Sequence, residues 1–596
     1  MITSRIKVSR LAFAALLLAG VGMPALGQDT PESLLPPGFD DPAPTPTPAP
    51  GPTAAPTRPG PAEPLIPAEP GVALPDNAFG NFADQAEAQA AQVDLARYEL
   101  PAFAKHSLDR VGAFAAGNAA FPADSFGRSD GRFLQVLMRR MEAPIASRWA
   151  SIVLRRALMS PLDTPANVNG ADFAADRAWT LLRMGEANAA RAVIEDVDTD
   201  NYTTWLYQVA MQSALASGDP GALCPIADKG AAAIAQRGWS LAQAMCTGLA
   251  GKPNEAGQLL NRARSGTSAS DIDNLLAEKV LGTGAQGRRA VTVEWNPVGQ
   301  LTAWRWGLAT ATGVEVPAEL YQTAGAQVRY WQALAANIDP AARASAAELA
   351  ATAGVFSSAG LVDLYSEIEQ SGDTGPGQTV ARDLRSAYTD GDVGGRIKAL
   401  RTLWDGASTA RTRYARLILT ARAASWIPAS DKVEDADRLI ASMLSSGYES
   451  AALEWRGVAK RGSEGWALLA LADPAGGQLP SGDVTGFADS ASRRKAQMLL
   501  AGLAGLGRLS AGEAQSAAAA LDVQIGGANG WTQAIDAAGQ RGDAATVALL
   551  AGVGMQSPTW DYVAPEALFH IVAAMRAAGM VNYARMIAVE AVTRSA

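Results

Sequence analysis

The chain has 596 residues and a formal net charge of −9, with 50 Lys and Arg residues against 59 Asp and Glu. Because the basic residues are dispersed along an acidic chain, nucleic acid and anionic membrane surfaces are not expected as partners. Only two histidines and two cysteines are present. The sequence therefore predicts neither a zinc site made of His and Cys ligands nor a cofactor.

Residues 1–27 carry the three parts of a secretory signal peptide. Arg5, Lys7 and Arg10 form a basic start, the apolar run LAFAALLLAGVGM follows, and Ala25-Leu26-Gly27 forms a small-residue cleavage motif. The apolar run is shorter than the roughly 20 residues of a membrane-spanning helix, which favours cleavage over an uncleaved anchor. The sequence thus predicts an exported chain, periplasmic in a Gram-negative cell, with no membrane span after cleavage.

Residues 28–78 form a linker rich in Pro, Ala and Thr. Sixteen prolines lie between Thr30 and Pro75, and such a density prevents helix and sheet hydrogen bonding. The composition predicts a disordered arm with polyproline II character. Two interpretations follow: a flexible tail that keeps the folded part at a distance, or a spacer that threads the cell wall or docks in an aromatic groove.

Beyond about residue 80 the pattern is helical, with Ala-rich amphipathic stretches separated by short Gly, Pro, Asp or Ser breaks. YTTWLYQVAMQSALAS is one such stretch, and VTVEW at 291–295 is the best strand signal in the chain. These patterns predict an all-α folded part. We divide it into N-terminal helical repeats at 79–290 and C-terminal helical repeats at 291–596 that continue the same superhelix.

Gly185, Gly218 and Gly251 are spaced by 33 residues, and each lies between two amphipathic segments. Ala190 and Ala256 stand five residues after their glycines, and the same glycine–alanine spacing recurs at Gly579 and Ala584. A glycine ends the first helix of a hairpin, and a small alanine lets the second helix approach it. This pattern resembles the tetratricopeptide-type repeat over about residues 171–268 and 563–594. The resemblance implies a right-handed α-solenoid and carries over no functional residue.

The segment DVDTDN places Asp196, Asp198 and Asp200 in a loop between two helices. Three carboxylates in a short loop make a candidate calcium site. Asn201 and Tyr207 stand where a calcium loop has its glycine and its bidentate glutamate. The alternative is an acidic cap on the following helix.

Cys224 and Cys246 are the only cysteines, and they lie on either side of the helix connection expected near Gln236–Gly238. Cys224 would lie in the second helix of one repeat and Cys246 in the first helix of the next. Successive helices of such a stack run antiparallel, so both cysteines would come level, near the Cα spacing of roughly 5.5 Å in a disulfide. An exported chain reaches an oxidising compartment. The sequence therefore predicts a structural disulfide, with two buried free thiols as the alternative.

The stretch EWNPVGQLTAWRWG is the candidate binding surface, through Trp295, Trp304, Arg305 and Trp306. Trp304 and Trp306 diverge by about 200° on a helix, so both cannot face one core stripe. One of them would be exposed or would meet a neighbouring element, where a partner could anchor. Ordinary core packing is the alternative.

These features predict a non-catalytic exported scaffold or adaptor that binds other cell-envelope proteins, of unknown oligomeric state. A stacked helical-repeat chain offers a long curved surface for such partners. The alternative is a peptidoglycan- or carbohydrate-acting enzyme that uses paired carboxylates within the superhelix, a pairing that a sequence does not reveal. No nucleophile or phosphate-binding motif in a suitable context supports an enzyme.

Overall fold

The structure, a computed structural model, describes residues 101–114, 120–142, 144–264, 271–284, 291–372 and 374–595. The predicted signal peptide at 1–27 and the predicted linker at 28–78 lie outside these residues, as does the start of the predicted N-terminal repeats at 79–100. Within the described residues the chain is mostly helical, which confirms the all-α prediction.

Nine α-helices precede residue 290 in the described part of the chain. They are α1 (Gly131–Arg140), α2 (Arg148–Met159), α3 (Gly170–Arg183), α4 (Ala187–Glu195), α5 (Thr204–Ala216), α6 (Ala227–Ala233), α7 (Arg237–Leu249), α8 (Pro253–Ala263) and α9 (Ile272–Gly284). Short 3-10 turns at Ala102–Ala104, Thr199–Asn201 and Pro220–Leu223 supplement them.

The helices that follow residue 290 in the described part continue without a change of class. They are α10 (Ala303–Ala311), α11 (Ala326–Leu334), α12 (Pro340–Thr352), α13 (Ser358–Ser371), α14 (Pro376–Thr389), α15 (Val393–Asp405), α16 (Ala410–Ala424), α17 (Ala436–Ser445), α18 (Glu449–Leu453), α19 (Glu464–Ala472), α20 (Ser481–Ser490), α21 (Arg493–Gly505), α22 (Ala511–Ala520), α23 (Gly530–Arg541), α24 (Ala544–Gly554), α25 (Pro565–Ala577) and α26 (Val581–Arg594). Further 3-10 turns lie at Ala318–Thr323, Glu454–Gly457 and Trp560–Tyr562.

The predicted hairpin turns are present at the predicted glycines. Gly185, Gly218, Gly251 and Gly579 have φ values of +90°, +65°, +79° and +79°. Each follows the end of a helix, where a left-handed residue lets the chain reverse and glycine has no Cβ to oppose it. The glycine signal therefore located these turns correctly.

The alanines that follow the glycines are fully buried, at Ala190, Ala256 and Ala584. Side chains this small let the second helix of each hairpin approach the first closely. In the hairpin after Gly218, Leu223 is buried in the corresponding region. The local hairpin geometry agrees with the sequence pattern, and the resemblance to the tetratricopeptide family stays a prediction.

No strand forms at 291–295, where the sequence has its best strand signal; these residues are irregular. The one sheet among the described residues pairs β1 (Arg110–Val111) with β2 (Leu162–Asp163), antiparallel. Buried Arg177 fixes this corner, because its guanidinium donates to the carbonyl of Val111 at 2.7 Å and to that of Ser160 at 2.6 Å. Burial lowers the pKa of Arg177 to about 10.

The C-terminal helices return to the N-terminal ones. Helix α2 packs against α24 and α26, and the N–H of Ala146 donates to the carbonyl of Met555 at 2.8 Å. One apolar core extends from Val111 to Val592, on both sides of residue 290. A repeat in an open solenoid contacts only its neighbours, so the repeat pattern did not predict this contact. The right-handed solenoid itself stays a prediction.

None of the described helices combines the length and the apolar character that crossing a membrane requires.

Candidate functional site

The predicted binding tryptophans Trp304 and Trp306 do not form a surface, and this prediction was wrong. Both side chains are fully buried. Their helix, α10, packs against α5 and α9. Trp304 donates from Nε1 to the carbonyl of Asp273 at 3.4 Å, and the ring of Trp306 lies 5.7 Å from that of Trp331. Trp304 thus contacts α9 and Trp306 contacts α11, so another helix covers each ring.

The remaining residues of that stretch also have internal partners. Arg305 pairs with the buried carboxylate of Asp273 at 2.9 Å and donates to the carbonyl of Gln300 at 2.7 Å. Trp295 is half-buried against the main core. The stretch therefore joins helices within the fold, and of its three tryptophans only Trp295 keeps part of its surface exposed.

The three predicted calcium ligands do not converge. Asp196 accepts from the N–H of Gly112 at 2.7 Å, Asp198 from the N–H of His106 at 2.9 Å, and Asp200 pairs with Lys229 at 2.7 Å. No group of His, Cys, Asp and Glu side chains among the described residues is arranged to hold a metal ion. These aspartates instead tie the loop to neighbouring segments, and the following helix is capped by Thr203.

Cys224 and Cys246 form a disulfide with their Cα atoms 5.2 Å apart. Cys224 follows the 3-10 turn Pro220–Leu223, and Cys246 lies in α7. The short helix α6 and its connection to α7 lie between them. The pairing predicted from the repeat register is therefore present.

Buried carboxyl groups with a raised pKa are the places where acid–base chemistry could be sought. Among the described residues these are Asp176, Glu186 and Asp273, and burial is the main cause of each shift. Each has its own arginine: Arg139 at 2.8 Å from Asp176, Arg155 at 2.5 Å from Glu186 and Arg305 at 2.9 Å from Asp273. The three carboxyl groups are therefore parts of ion pairs that join helices.

Glu186 gives a testable pH dependence. Burial raises its pKa to about 7 from 4.5, although Arg155 opposes the shift. The folded state therefore holds this proton more tightly than the unfolded chain between about pH 4.5 and 7, so raising the pH through that window destabilises the fold. Relative to Glu186→Gln, the wild-type protein should lose about 2 kcal/mol of unfolding free energy between pH 5 and pH 8. Denaturant unfolding across this range measures the difference, and parallel profiles would contradict it.

An open groove of about 770 Å³ lies near the C-terminal end of the chain. It is formed by the end of α21, helix α22, the loop after α22, and α25. The side chains that line it are apolar, many of them alanine, apart from two amide side chains. The lining residues are Ala504, Leu509, Ala511, Ala514, Gln515, Ala518, Ala519, Val523, Gln524, Ile525, Gly526, Gly527 and Phe569. The groove thus presents apolar surface and backbone, and no titratable side chain.

The sequence of α22, AGEAQSAAAA, explains why this space stays open. Alanine side chains are too short to fill the gap to α25, whereas a Leu or Met would fill it. The following loop turns sharply, with Asp522 at φ +51° and Gly526 at φ +84°. A helix with six alanines among its ten residues, next to a Gly-Gly loop, was the available signal, and the sequence reasoning missed it.

His570 supports the groove from behind. It is 5% exposed, its Nδ1 lies 2.9 Å from the carboxylate of Asp536, and its Nε2 lies 3.1 Å from the carbonyl of Gly527. The imidazole therefore links α23 and α25 to the loop and is not part of the lining.

Comparison with protein-family models, curated proteins and solved structures finds no match to this chain. The functional argument therefore depends on the groove and on the chemistry of its lining.

Proposed function

We propose that the protein is an exported, non-catalytic adaptor that acts in the periplasm and binds other cell-envelope proteins. The groove of about 770 Å³ with an apolar lining carries this proposal. Binding sites are commonly concave, apolar and of this size. Its occupant is an amphipathic helix of a partner protein, which would place its apolar face in the groove.

The alanines of α22 that line the groove favour a helix as its occupant. Within this chain, alanines at Ala190, Ala256 and Ala584 let helices approach each other closely, and all three are fully buried. Ala511 and Ala519 of α22 have the same small side chain but are exposed. These exposed alanines can pack against a further helix in the same way.

The chemistry of the groove favours binding over glycoside hydrolysis. A glycosidase needs two carboxyl groups on opposite sides of the bond that it breaks. The lining residues include no Asp, Glu or His. The disulfide between Cys224 and Cys246 supports an oxidising compartment such as the periplasm.

Two neighbouring alanines of α22 allow a matched test. Ala519 lines the groove, Ala520 does not, and both are exposed. Ala519→Glu should weaken partner capture from envelope extracts by about tenfold or more, because it places a charge against the apolar face of the bound helix. Ala520→Glu should retain capture. Quantitative mass spectrometry of the bound proteins gives the comparison.

Equal capture by both variants would contradict the groove as the binding site. Incubation of the purified protein with peptidoglycan, followed by chromatography of soluble products, tests the enzyme alternative. Release of sugar fragments by the wild-type protein would contradict a non-catalytic adaptor.

A further inference from the structure

A second surface feature lies in the part of the chain that precedes the groove, among α13, α14 and α16. Trp426 is 49% exposed, and its ring lies 5.3 Å from that of Tyr388 in an edge-to-face arrangement. The guanidinium of Arg422 lies 5.6 Å from the Trp426 ring centre. Tyr448 lies beside Arg422 at a shallow recess of about 60 Å³. We name Tyr388, Arg422, Trp426 and Tyr448 the aromatic patch.

The aromatic patch has unused binding capacity. An indole ring that is half in solvent is uncommon, because tryptophan buries a large apolar area when it can. A ligand that supplies apolar rings would cover the exposed face of Trp426.

The chain itself contains a segment with this chemistry. The sequence PAEPLIPAEP, at 61–70, has prolines at every third position. A polyproline II helix has three residues per turn, so Pro61, Pro64, Pro67 and Pro70 would lie on one face. Proline-rich segments of this form dock in grooves lined by aromatic rings. No other part of the proline-rich linker keeps this period over three turns.

Charge complementarity points to the same segment. Glu63 and Glu69 stand two residues after prolines of the stripe, so they follow one another along a single ridge of the same helix. Arg422 is exposed at the patch. Its guanidinium would meet one of these carboxylates while the proline rings lie on Trp426.

We propose that the aromatic patch binds the chain's own segment Pro61–Pro70 in polyproline II conformation. This intramolecular contact is independent of the partner groove at α22.

The length of the chain permits the contact. Thirty residues separate Pro70 from Pro101, where the described chain begins. When extended, a chain of that length spans about 100 Å. A compact sphere with the radius of gyration expected for this chain, about 23 Å, is only about 60 Å across. The short tether also gives the segment a high effective concentration at the patch.

Photocrosslinking in the full chain tests the contact. Tyr448→p-benzoylphenylalanine places the crosslinker in the patch, and mass spectrometry identifies the linked peptide. We expect links to residues 61–70. Adding Trp426→Ala should lower the yield about tenfold, because it removes the stacking surface. Tyr562→p-benzoylphenylalanine, at an aromatic residue that is 80% exposed elsewhere, should give no such link.

Two sets of proline substitutions test whether binding depends on the spacing of the prolines or only on their number. One variant changes the period-three prolines Pro61, Pro64, Pro67 and Pro70 to alanine. The matched control changes the period-two prolines Pro42, Pro44, Pro46 and Pro48 to alanine. The first should reduce the link about tenfold, and the control should retain it.

Absence of a link to 61–70, or equal yields from the two proline variants, would overturn the proposal. An equal mixture of isotope-labelled and unlabelled chains distinguishes one further outcome. Links within a single chain support the intramolecular contact. Links only between labelled and unlabelled chains would replace it with a contact between two copies.

Discussion

Glu590→Gln should lower the free energy of unfolding by about 3–5 kcal/mol, because it removes the charge from a buried ion pair and leaves the partner cation uncompensated. Glu590 is 1% exposed and pairs with Arg594 at 2.6 Å, four residues later in α26. Arg594 is itself mostly buried and lies 4.6 Å from the centre of the Tyr414 ring. Denaturant unfolding of the variant and the wild-type protein measures the loss.

The position of Glu590 gives this residue a second role in joining the two ends of the described chain. Its carboxylate accepts from the Ser147 hydroxyl at 2.6 Å and from the N–H of Arg148 at 2.8 Å, at the first turn of α2. A carboxylate at a helix N-terminus satisfies free N–H groups and interacts favourably with the helix dipole. The substitution therefore weakens the contact between α2 and α26 as well as the ion pair.

Glu195→Gln is the matched control. Glu195 also pairs with an arginine four residues away, Arg191 at 2.6 Å, but its side chain is 58% exposed. Exposed pairs of this kind contribute about 0.5 kcal/mol or less. A similar loss in the two variants would contradict the role given to burial.

A double variant separates the charge from the shape. E590Q combined with Arg594→Met removes both charges and keeps the side-chain volume approximately constant. It should be less destabilised than E590Q alone, because the charge of Arg594 and its repulsion of the buried Arg148 guanidinium are removed together with the carboxylate. A double variant that loses the sum of the two single effects would show that the two residues act independently.

Local signals in the sequence predicted the turns and the disulfide. Gly185 and Gly251 mark chain reversals because a left-handed residue is needed there, and this requirement does not depend on distant contacts. Cys224 and Cys246 could be paired because the register of one hairpin brings them level. Features that depend on a single helical connection are therefore accessible from the residues alone.

The features that were not predicted from the sequence depend on contacts with distant segments of the chain. Trp306 packs against Trp331, its helix packs against α5, and nothing within the stretch at 294–307 indicates these neighbours. Ser147 and Glu590 are 443 residues apart, so the contact between the chain's ends has no local signal. The groove is also nonlocal, because its open space depends on where α25 lies relative to the alanines of α22.

The double substitution Cys224→Ser and Cys246→Ser should lower the unfolding free energy by roughly 3 kcal/mol. The crosslink joins residues 22 apart, and in the chain-entropy treatment it restricts the unfolded state by about this amount. The loss should concentrate around α6. That helix has only seven residues, and helices this short are unstable without tertiary support.

Hydrogen exchange locates the effect, and a thiol reductant controls for the substitutions. Amides of α6 and its connection to α7 should exchange faster in the double variant, while those of α26 should not change. In the presence of reductant the wild-type protein and the variant should unfold at the same denaturant concentration, since both then lack the crosslink. A difference that persists under reduction would mean that the serine side chains, rather than the lost disulfide, cause the destabilisation.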